Sequence, residues 1–252
     1  MDKLLQVAHL KKVFPQKDRP DIVAVDDVSF SLQPGEKLAI IGESGSGKTT
    51  VARLIARLTD ATEGKIILAG EDITRAGGAQ LKKAYAKMQM VFQNPVDSFD
   101  PRCTLGDGIS ESLINHGRSR AQATAITQKL LAMCELGEEF ARRYPHEVSG
   151  GQCQRAAIAR ALAIEPQLLI LDEATSALDV TVQAEIISLL NRLQQERQMA
   201  YLFICHDIAL VQDFCDRVLV MQAGRVVEAG TAEEVINNPR QAYTRTLLDS
   251  VL

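Results

Sequence analysis

No stretch of this sequence approaches eighteen consecutive apolar residues, so the chain is not expected to cross a membrane by itself. The N-terminal residues lack the charged and apolar regions of a signal peptide. The five cysteines include no Cys-x-x-Cys pair, and an odd number without metal-ligand spacing indicates reduced thiols in a cytosol. Positive charge is not in excess, and the net charge of −4 disfavours broad electrostatic binding to nucleic acid.

The composition that remains is typical of a globular protein. Hydrophobic residues make up 46% of the 252 positions, which supports a sizeable core. The length suits one domain with an additional lobe, or two small domains. Internal repeats and low-complexity tracts are absent from the sequence.

A glycine-rich segment is the most informative part of the chain. Residues 42–49 read Gly-Glu-Ser-Gly-Ser-Gly-Lys-Thr and fit the pattern G-x-x-x-x-G-K-[S/T]. A strand predicted over 37–41 precedes the segment, and apolar residues spaced as one face of a helix follow it. This order is typical of a phosphate-binding loop, to which the helix N-terminus adds its positive dipole end. The alternative is a glycine-rich turn that binds nothing.

Individual residues of this segment are expected to have distinct roles. Gly42, Gly45 and Gly47 allow positive φ angles, which turn the backbone N–H groups inward. We expect Lys48 to reach the β- and γ-phosphates of a nucleotide, and the Thr49 hydroxyl to bind Mg²⁺.

A second pair of glycines indicates another anion-binding turn. Residues Ser149, Gly150, Gly151 and Gln152 open a predicted helix that ends near Leu162. Two glycines after a serine at a helix N-terminus favour a nest of backbone N–H groups. The chain is therefore expected to carry two anion-binding surfaces.

Two carboxylates follow an apolar strand predicted over 168–171. Asp172 is placed to hold Mg²⁺, directly or through water, and Glu173 is placed to orient and polarise the attacking water. The alternative is a solvated loop at the strand end. His206 follows another predicted strand, over 201–205, where a lone histidine is usually structural; its position here favours contact with a γ-phosphate.

The order of the predicted elements indicates an α/β protein with an inserted helical lobe. The short strands of the first third are expected to form an antiparallel layer beside the nucleotide, and two helices between the glycine-rich segments indicate the lobe. The predicted strands lie at 4–7, 28–32, 66–68, 217–221 and 225–228, and the predicted helices at 105–113, 121–136 and 180–197. The expected division is a first part of the core over 1–92, a helical lobe over 93–166, and a second part of the core over 167–252.

These motifs, in this order and over nearly the whole chain, resemble the ATP-binding subunit of ATP-binding-cassette (ABC) transporters. The resemblance implies an α/β fold with a P-loop NTPase core of the ABC type, an antiparallel β layer and an inserted helical lobe. It also implies ATP and Mg²⁺ as cofactors and ATP hydrolysis as the activity. Val148 departs from the family's pattern, which has leucine at that position.

The resemblance assigns roles to individual residues. Glu173, His206 and Gln93 are implied to be catalytic, and Thr49, Gln93 and Asp172 are implied to hold the metal. Phe14 matches the aromatic residue that stacks on adenine; the alternative is an ordinary core phenylalanine. The residues implied in nucleotide binding are Phe14, Gly42, Glu43, Ser44, Gly45, Ser46, Gly47, Lys48, Thr49, Thr50, Ser149, Gly150, Gly151, Gln152 and Asp179.

Partners follow from the same resemblance. Two ATPase subunits of this family meet head to tail, so that each ATP lies between one phosphate loop and the other subunit's Ser149–Gln152 equivalent. The second subunit is expected to be a different chain, although a homodimer is possible. Two membrane permease subunits and, indirectly, an extracytoplasmic solute-binding protein complete the expected assembly, with this chain peripheral at the cytoplasmic face of the inner membrane and without nucleic acid.

Two segments resemble the peptide and nickel importers of this family. Residues 94–102 read Asn-Pro-Val-Asp-Ser-Phe-Asp-Pro-Arg, and residues 239–248 contain a proline, a tyrosine-threonine pair and two leucines. We therefore expect the chain to power uptake of peptides, nickel or metal-chelate complexes, unless both segments are generic surface loops. An exporter ATPase and a soluble, non-transport ATPase of the DNA-repair or translation type are the alternatives.

Cys153 allows two interpretations. It lies in the first turn of the predicted helix after Ser149, where the helix dipole would lower the pKa of a thiol and make it reactive. Alternatively, it is an inert small residue that faces the core.

Overall fold

The strands of this protein form two sheets, and helices pack between and around them. The computed structural model describes residues 3–17, 19–176 and 178–249. The predicted boundaries at residues 1 and 252, and Ala177 in the segment that leads to Asp179, lie outside the described residues. The strands are β1 (Leu5–Phe14), β2 (Ile22–Leu32), β3 (Lys37–Ile41), β4 (Glu63–Leu68), β5 (Glu71–Asp72), β6 (Met88–Val91), β7 (Leu168–Asp172), β8 (Ala200–Ile204), β9 (Arg217–Gln222) and β10 (Arg225–Thr231).

The helices alternate with these strands in the core and follow one another in the middle of the chain. They are α1 (Lys48–Ile55), α2 (Gly78–Lys87), α3 (Leu105–Asn115), α4 (Arg120–Met133), α5 (Gly150–Leu162), α6 (Val180–Arg197), α7 (Ile208–Phe214), α8 (Ala232–Asn237) and α9 (Ala242–Asp249). None of the helices in the described residues is long and apolar enough to span a membrane.

The first sheet is antiparallel, with the strand order β2-β1-β4-β5. This confirms the predicted antiparallel layer, although β1 and β2 are longer than the sequence pattern indicated. Their pairing continues to Phe14 opposite Ile22, so the two strands form a long antiparallel pair. Exposed residues interrupt the apolar alternation near that end of the pair, and for that reason the pattern missed the outer half of both strands.

The second sheet has the order β10-β9-β3-β8-β7-β6, and its strands from β9 to β6 are parallel. Strand β3 lies inside the sheet, and its residues 38–41 are almost completely buried. Continuous burial on both faces explains why these strands are apolar runs without alternation. The carboxyl ends of parallel strands meet at one edge, so the loops after β3, β6, β7 and β8 all open there.

The second sheet separates two hydrophobic clusters. Ile41, Leu171 and Phe203 belong to one cluster, whereas Ile40 and Ile170 belong to the other, as the two-residue period of a strand requires. The first cluster also contains buried residues of α3, α4 and α5. Helical packing in residues 105–162 agrees with the expected lobe, while the boundaries at 93 and 166 stay a prediction.

The helices of this middle region begin at strong caps. The side chains of Thr104, Ser119 and Ser149 each accept a hydrogen bond from the backbone N–H three residues later. The side chain of that later residue in turn accepts a hydrogen bond from the backbone N–H of the cap residue. Helix α2, by contrast, was not predicted. It begins at two glycines and buries only Ala84 among its residues, so its apolar periodicity is weak.

Candidate functional site

The loop between β3 and α1 has the backbone that the glycine pattern predicted. Gly42, Gly45 and Gly47 have φ angles of 147°, 79° and 106°. A Cβ atom at Gly42 would collide with the carbonyl oxygen of Met221, and one at Gly47 with that of Ala24. These two glycines are therefore required both by conformation and by the close approach of neighbouring strands.

Lys48 lies inside this loop, with only 4% of the residue exposed. Its Nζ donates hydrogen bonds of 2.8 Å to the carbonyl oxygens of Gly42 and Glu43. Burial lowers the pKa of this ammonium, and the nearby charges of Glu173 and Asp172 oppose that shift. An ammonium has three N–H donors, so one remains for a phosphate oxygen.

Ser46 provides an independent test of whether the loop fits a phosphate. The residue is 5% exposed, and its Oγ has no hydrogen-bond partner among the described residues. A buried hydroxyl without a partner costs free energy, of the order of 1–3 kcal/mol, unless a ligand or water satisfies it. The unpaired hydroxyl, the buried ammonium and the start of α1 fit the anionic oxygens of a nucleotide.

A pair of oxygen-bearing side chains joins α1 to the end of β7. The Thr49 hydroxyl donates a 3.1 Å hydrogen bond to Oδ1 of Asp172. Burial raises the pKa of the Asp172 carboxyl, against the lowering effect of that hydrogen bond. Hydroxyl and carboxylate oxygens at this distance are suitable ligands for Mg²⁺, which takes its other ligands from phosphate and water. Thr49 and Asp172, predicted from distant parts of the chain, are thus adjacent.

Glu173 contacts two of the other predicted residues. Its carboxylate accepts a 2.6 Å hydrogen bond from Nε2 of Gln93 and contacts Nε2 of His206. Only 13% of the Glu173 side chain is exposed. The φ angle of Glu173 is 49°, although its N–H still pairs with the carbonyl of Ile204 on β8. A non-glycine residue in this conformation is strained, and such strain clusters at functional sites.

The second glycine pair lies at the N-terminus of α5. Ser149 Oγ accepts a hydrogen bond from the Gln152 N–H at 3.3 Å, and Gln152 Oε1 accepts one from the Ser149 N–H at 3.0 Å. A Cβ atom at Gly151 would lie 2.5 Å from Cγ1 of Val182, so glycine allows α5 to approach α6. Within the described residues, no hydrogen bond joins 149–152 to the loop at 42–49.

Asp179 and Phe14 occupy different positions from these clusters. Oδ1 of Asp179 accepts a 3.0 Å hydrogen bond from the Val182 N–H and caps α6. The Phe14 ring, 40% exposed at the end of β1, is not a core residue, so that alternative is wrong. Lys12 Nζ lies 4.8 Å from the ring centroid. The exposed ring fits an aromatic platform, although its contact with adenine stays a prediction.

Cys153 corrects one of the sequence hypotheses. The residue is fully buried within the first hydrophobic cluster. Burial raises the pKa of its thiol to about 11, so the expected effect of the helix dipole is outweighed. The reactive-thiol interpretation is wrong, and the inert alternative fits.

The sequence did not predict one contact with the loop at 42–49. The hydroxyl of Tyr243, on α9, accepts a 3.2 Å hydrogen bond from the N–H of Glu43. Tyr243 belongs to the segment 239–248, which the sequence marked only as a subfamily feature. The tyrosine-threonine pair was the available signal, but nothing in the pattern says that it lies near residue 43.

The chain is similar to known proteins in sequence and in overall structure. The family model described as ABC transporter matches residues 25–176. The chain is 44% identical to the oligopeptide transport ATP-binding protein OppF of Bacillus subtilis, over 99% of this chain and 83% of that protein. It is also 44% identical to the glutathione import ATP-binding protein GsiA of Pectobacterium atrosepticum, over 99% of this chain and 41% of that protein. A solved dimer of the ATP-binding cassette MJ0796, bound to ADP and Pi, has a TM-score of 0.83 at 30% identity and covers 90% of this chain and 98% of that one.

Proposed function

The chain belongs to the ABC transporter family, and on this premise we propose that it powers the uptake of peptides through separate membrane permeases. It is an ATPase subunit of an importer. The relatives that match nearly its whole length are named as transport and import ATP-binding proteins. The soluble, non-transport alternative is not favoured, because these relatives are transport and import proteins.

The observation that carries the proposal is the meeting of catalytic groups at one edge of the parallel sheet. Gln93 follows β6, Glu173 follows β7 and His206 follows β8, and the Glu173 carboxylate contacts both other side chains. Glu173 is the general base or water-orienting group in this proposal. Gln93 and His206 hold its carboxylate, and His206 contacts the γ-phosphate.

The nucleotide in this proposal is held by residues 42–50 and by the Phe14 ring. Lys48 and the unpaired hydroxyl of Ser46 bind phosphate oxygens, while Thr49, Asp172 and Gln93 hold the metal. Mg²⁺ held by these residues would supply positive charge against the phosphates. The buried environment of Lys48 strengthens its interaction with phosphate, since charges interact more strongly away from water.

We propose that Ser149–Gln152 and Asp179 act at a nucleotide held by a second ATPase subunit. Within the described residues, 149–152 make no hydrogen bond to the loop at 42–49, which supports a head-to-tail arrangement. The similar cassette MJ0796 was solved as a dimer, which supports the pairing of two such subunits. The second subunit is either a different chain or another copy of this one.

A groove of about 300 Å³ provides the proposed docking surface for a permease. It lies between the end of α1, strand β6 and the end of α3, and its lining includes Leu58, Tyr85, Met90 and Phe92. Leu58 is 52% exposed, which favours a partner that covers it. Because β6 leads into Gln93, a helix in this groove would be coupled to the catalytic residues. The chain is then peripheral at the cytoplasmic face of the membrane.

The cargo is the least constrained part of the proposal. Peptide uptake is supported by the names of the oligopeptide relatives, and glutathione, itself a peptide, by GsiA. Nickel or metal-chelate transport stays a prediction from the resemblance of residues 94–102 and 239–248. In this architecture the ATPase does not contact the cargo.

Reconstitution tests the proposal. The chain is purified from detergent-solubilised membranes with its permeases, placed in liposomes with the binding protein, and assayed for ATP hydrolysis with peptides, glutathione or Ni²⁺. We expect peptide to stimulate hydrolysis and Leu58→Glu to abolish stimulation, while Ile114→Glu, at an exposed position outside the groove lining, keeps it. Stimulation by Ni²⁺ alone would contradict the peptide assignment. Transport would be contradicted if the chain were purified from membranes without any permease and still hydrolysed ATP.

A further inference from the structure

Helix α9 reaches the phosphate loop from the other end of the chain. The hydroxyl oxygen of Tyr243 accepts a 3.2 Å hydrogen bond from the backbone N–H of Glu43, 200 positions earlier. The tyrosine ring is partly buried and packs against the first hydrophobic cluster. Its hydroxyl is therefore held at the start of the loop.

The peptide group that donates its N–H to Tyr243 is the same one whose carbonyl oxygen holds Lys48. The Gly42–Glu43 peptide presents its carbonyl oxygen to Lys48 Nζ at 2.8 Å and its N–H to Tyr243. A peptide group is planar, so its carbonyl and N–H rotate together. Any rotation that lost the bond to Tyr243 would also turn the Gly42 carbonyl away from the ammonium.

The position of Tyr243 is set by the fold and does not depend on the loop. Leu247 and Leu248, on the same helix, are buried in the core. At the start of the helix, the N–H groups of Arg240 and Gln241 donate to the carboxylate of Glu228 on β10, at 2.8 and 3.1 Å. The helix is thus anchored at both ends, and the hydroxyl is a fixed reference point for the loop.

We propose that Tyr243 is a positioning residue for nucleotide binding. Its hydroxyl orients the Gly42–Glu43 peptide, and that peptide holds the Lys48 ammonium at the phosphates. Tyr243 does not touch the nucleotide, and it acts on affinity rather than on the hydrolytic step, which belongs to Glu173 after β7. The inference rests on the proposed nucleotide site at residues 42–50.

The test removes only the hydroxyl. Tyr243→Phe is compared with Tyr201→Phe, a matched control in which a buried tyrosine loses a 2.9 Å hydrogen bond to the Leu190 carbonyl, away from the loop. MgATP affinity is measured by calorimetry, turnover at saturating ATP by phosphate release, and folding by thermal denaturation. We expect Tyr243→Phe to weaken MgATP binding about 2- to 10-fold, the effect of one lost hydrogen bond, with turnover at saturation preserved. Tyr201→Phe should change thermal stability and leave MgATP affinity intact.

Two further measurements separate the possible failures. Hydrogen exchange at the Glu43 amide should be faster in Tyr243→Phe and unchanged in Tyr201→Phe; equal protection in both would overturn the proposal. Lys48→Ala combined with Tyr243→Phe should bind no more weakly than Lys48→Ala alone, since the tyrosine acts through the lysine. Unchanged affinity in Lys48→Ala would contradict the nucleotide site itself, whereas an effect of Lys48→Ala without one of Tyr243→Phe would contradict only the role of the tyrosine.

Discussion

Replacing Glu173 with glutamine should separate ATP hydrolysis from ATP binding in this chain. The substitution preserves the size of the side chain and an oxygen that can still accept the bond from Gln93. It removes the negative charge and the ability to take a proton from water. The φ angle of 49° at this position imposes the same strain on both residues, so the backbone is not the variable.

The expected magnitude follows from the groups around Glu173. Loss of a positioned general base lowers the rate about 10²- to 10⁴-fold. That loss corresponds to about 3 to 5 kcal/mol in the activation barrier. Binding should respond differently, because Glu173 has no hydrogen bond to the residues of the loop at 42–49 within the described part of the chain. Its negative charge acts on Lys48, and removing a negative charge near a triphosphate should leave ATP affinity equal or tighter.

The assay compares two substitutions of the same kind. Glu165 also has a left-handed backbone, with φ of 53°, but its side chain is 81% exposed and lies 3.7 Å from Arg197. Phosphate release and MgATP affinity are measured for Glu173→Gln and Glu165→Gln in the assembled transporter. Glu165→Gln should behave as wild type. Glu173→Gln should bind ATP and accumulate the closed dimer, in which ATP lies between the two head-to-tail subunits. Turnover of Glu173→Gln within tenfold of wild type would refute its assignment as the base.

Further substitutions test the other groups of the site. Lys48→Ala should weaken MgATP binding measurably by calorimetry, because it removes the ammonium inside the loop; an unchanged affinity would mean that the phosphates bind elsewhere. His206→Ala should keep ATP affinity within a few-fold and lose most hydrolysis, while an equal loss of ADP and ATP binding would indicate misfolding instead. Ser149→Arg should leave nucleotide binding by this chain nearly intact and block hydrolysis in the assembled transporter; loss of binding in the isolated chain would contradict the head-to-tail arrangement. Maleimide should modify the exposed Cys103 and leave Cys153 unmodified up to pH 9, because a thiol with a pKa of about 11 is protonated throughout that range; mass spectrometry that found Cys153 labelled in the folded protein would contradict its burial.

Local patterns predicted much of this structure correctly. The long helix α6 begins at Val180 and ends at Arg197, as its apolar period indicated. Helix α5 ends at Leu162, and the hairpin of β9 and β10 contains the strands predicted at 217–221 and 225–228. These elements have a strong periodicity of apolar residues or a decisive turn residue, so neighbouring residues are enough to specify them. Helix α2 has neither, and it was missed.

Local patterns left two interpretations of Cys153 open, and the reactive thiol was the wrong one. The sequence shows that this thiol lies in the first turn of a helix, where the dipole favours a thiolate. It does not show which side of the helix faces the core. Burial outweighs the dipole, and burial depends on how α5 packs against the rest of the fold.

The sequence by itself determined the chemistry available to this protein: a glycine loop with a lysine and a threonine, a carboxylate pair after an apolar strand, and a glycine pair that opens a helix. Each is a short motif whose meaning lies in neighbouring residues, since φ angles and helix ends are local properties. Tertiary structure alone decided which groups meet. Gln93, Glu173 and His206 come together because β6, β7 and β8 are adjacent and parallel, so their ends share one edge. Tyr243 reaches Glu43 only because α9 packs back onto the core, and no spacing along the chain records that contact.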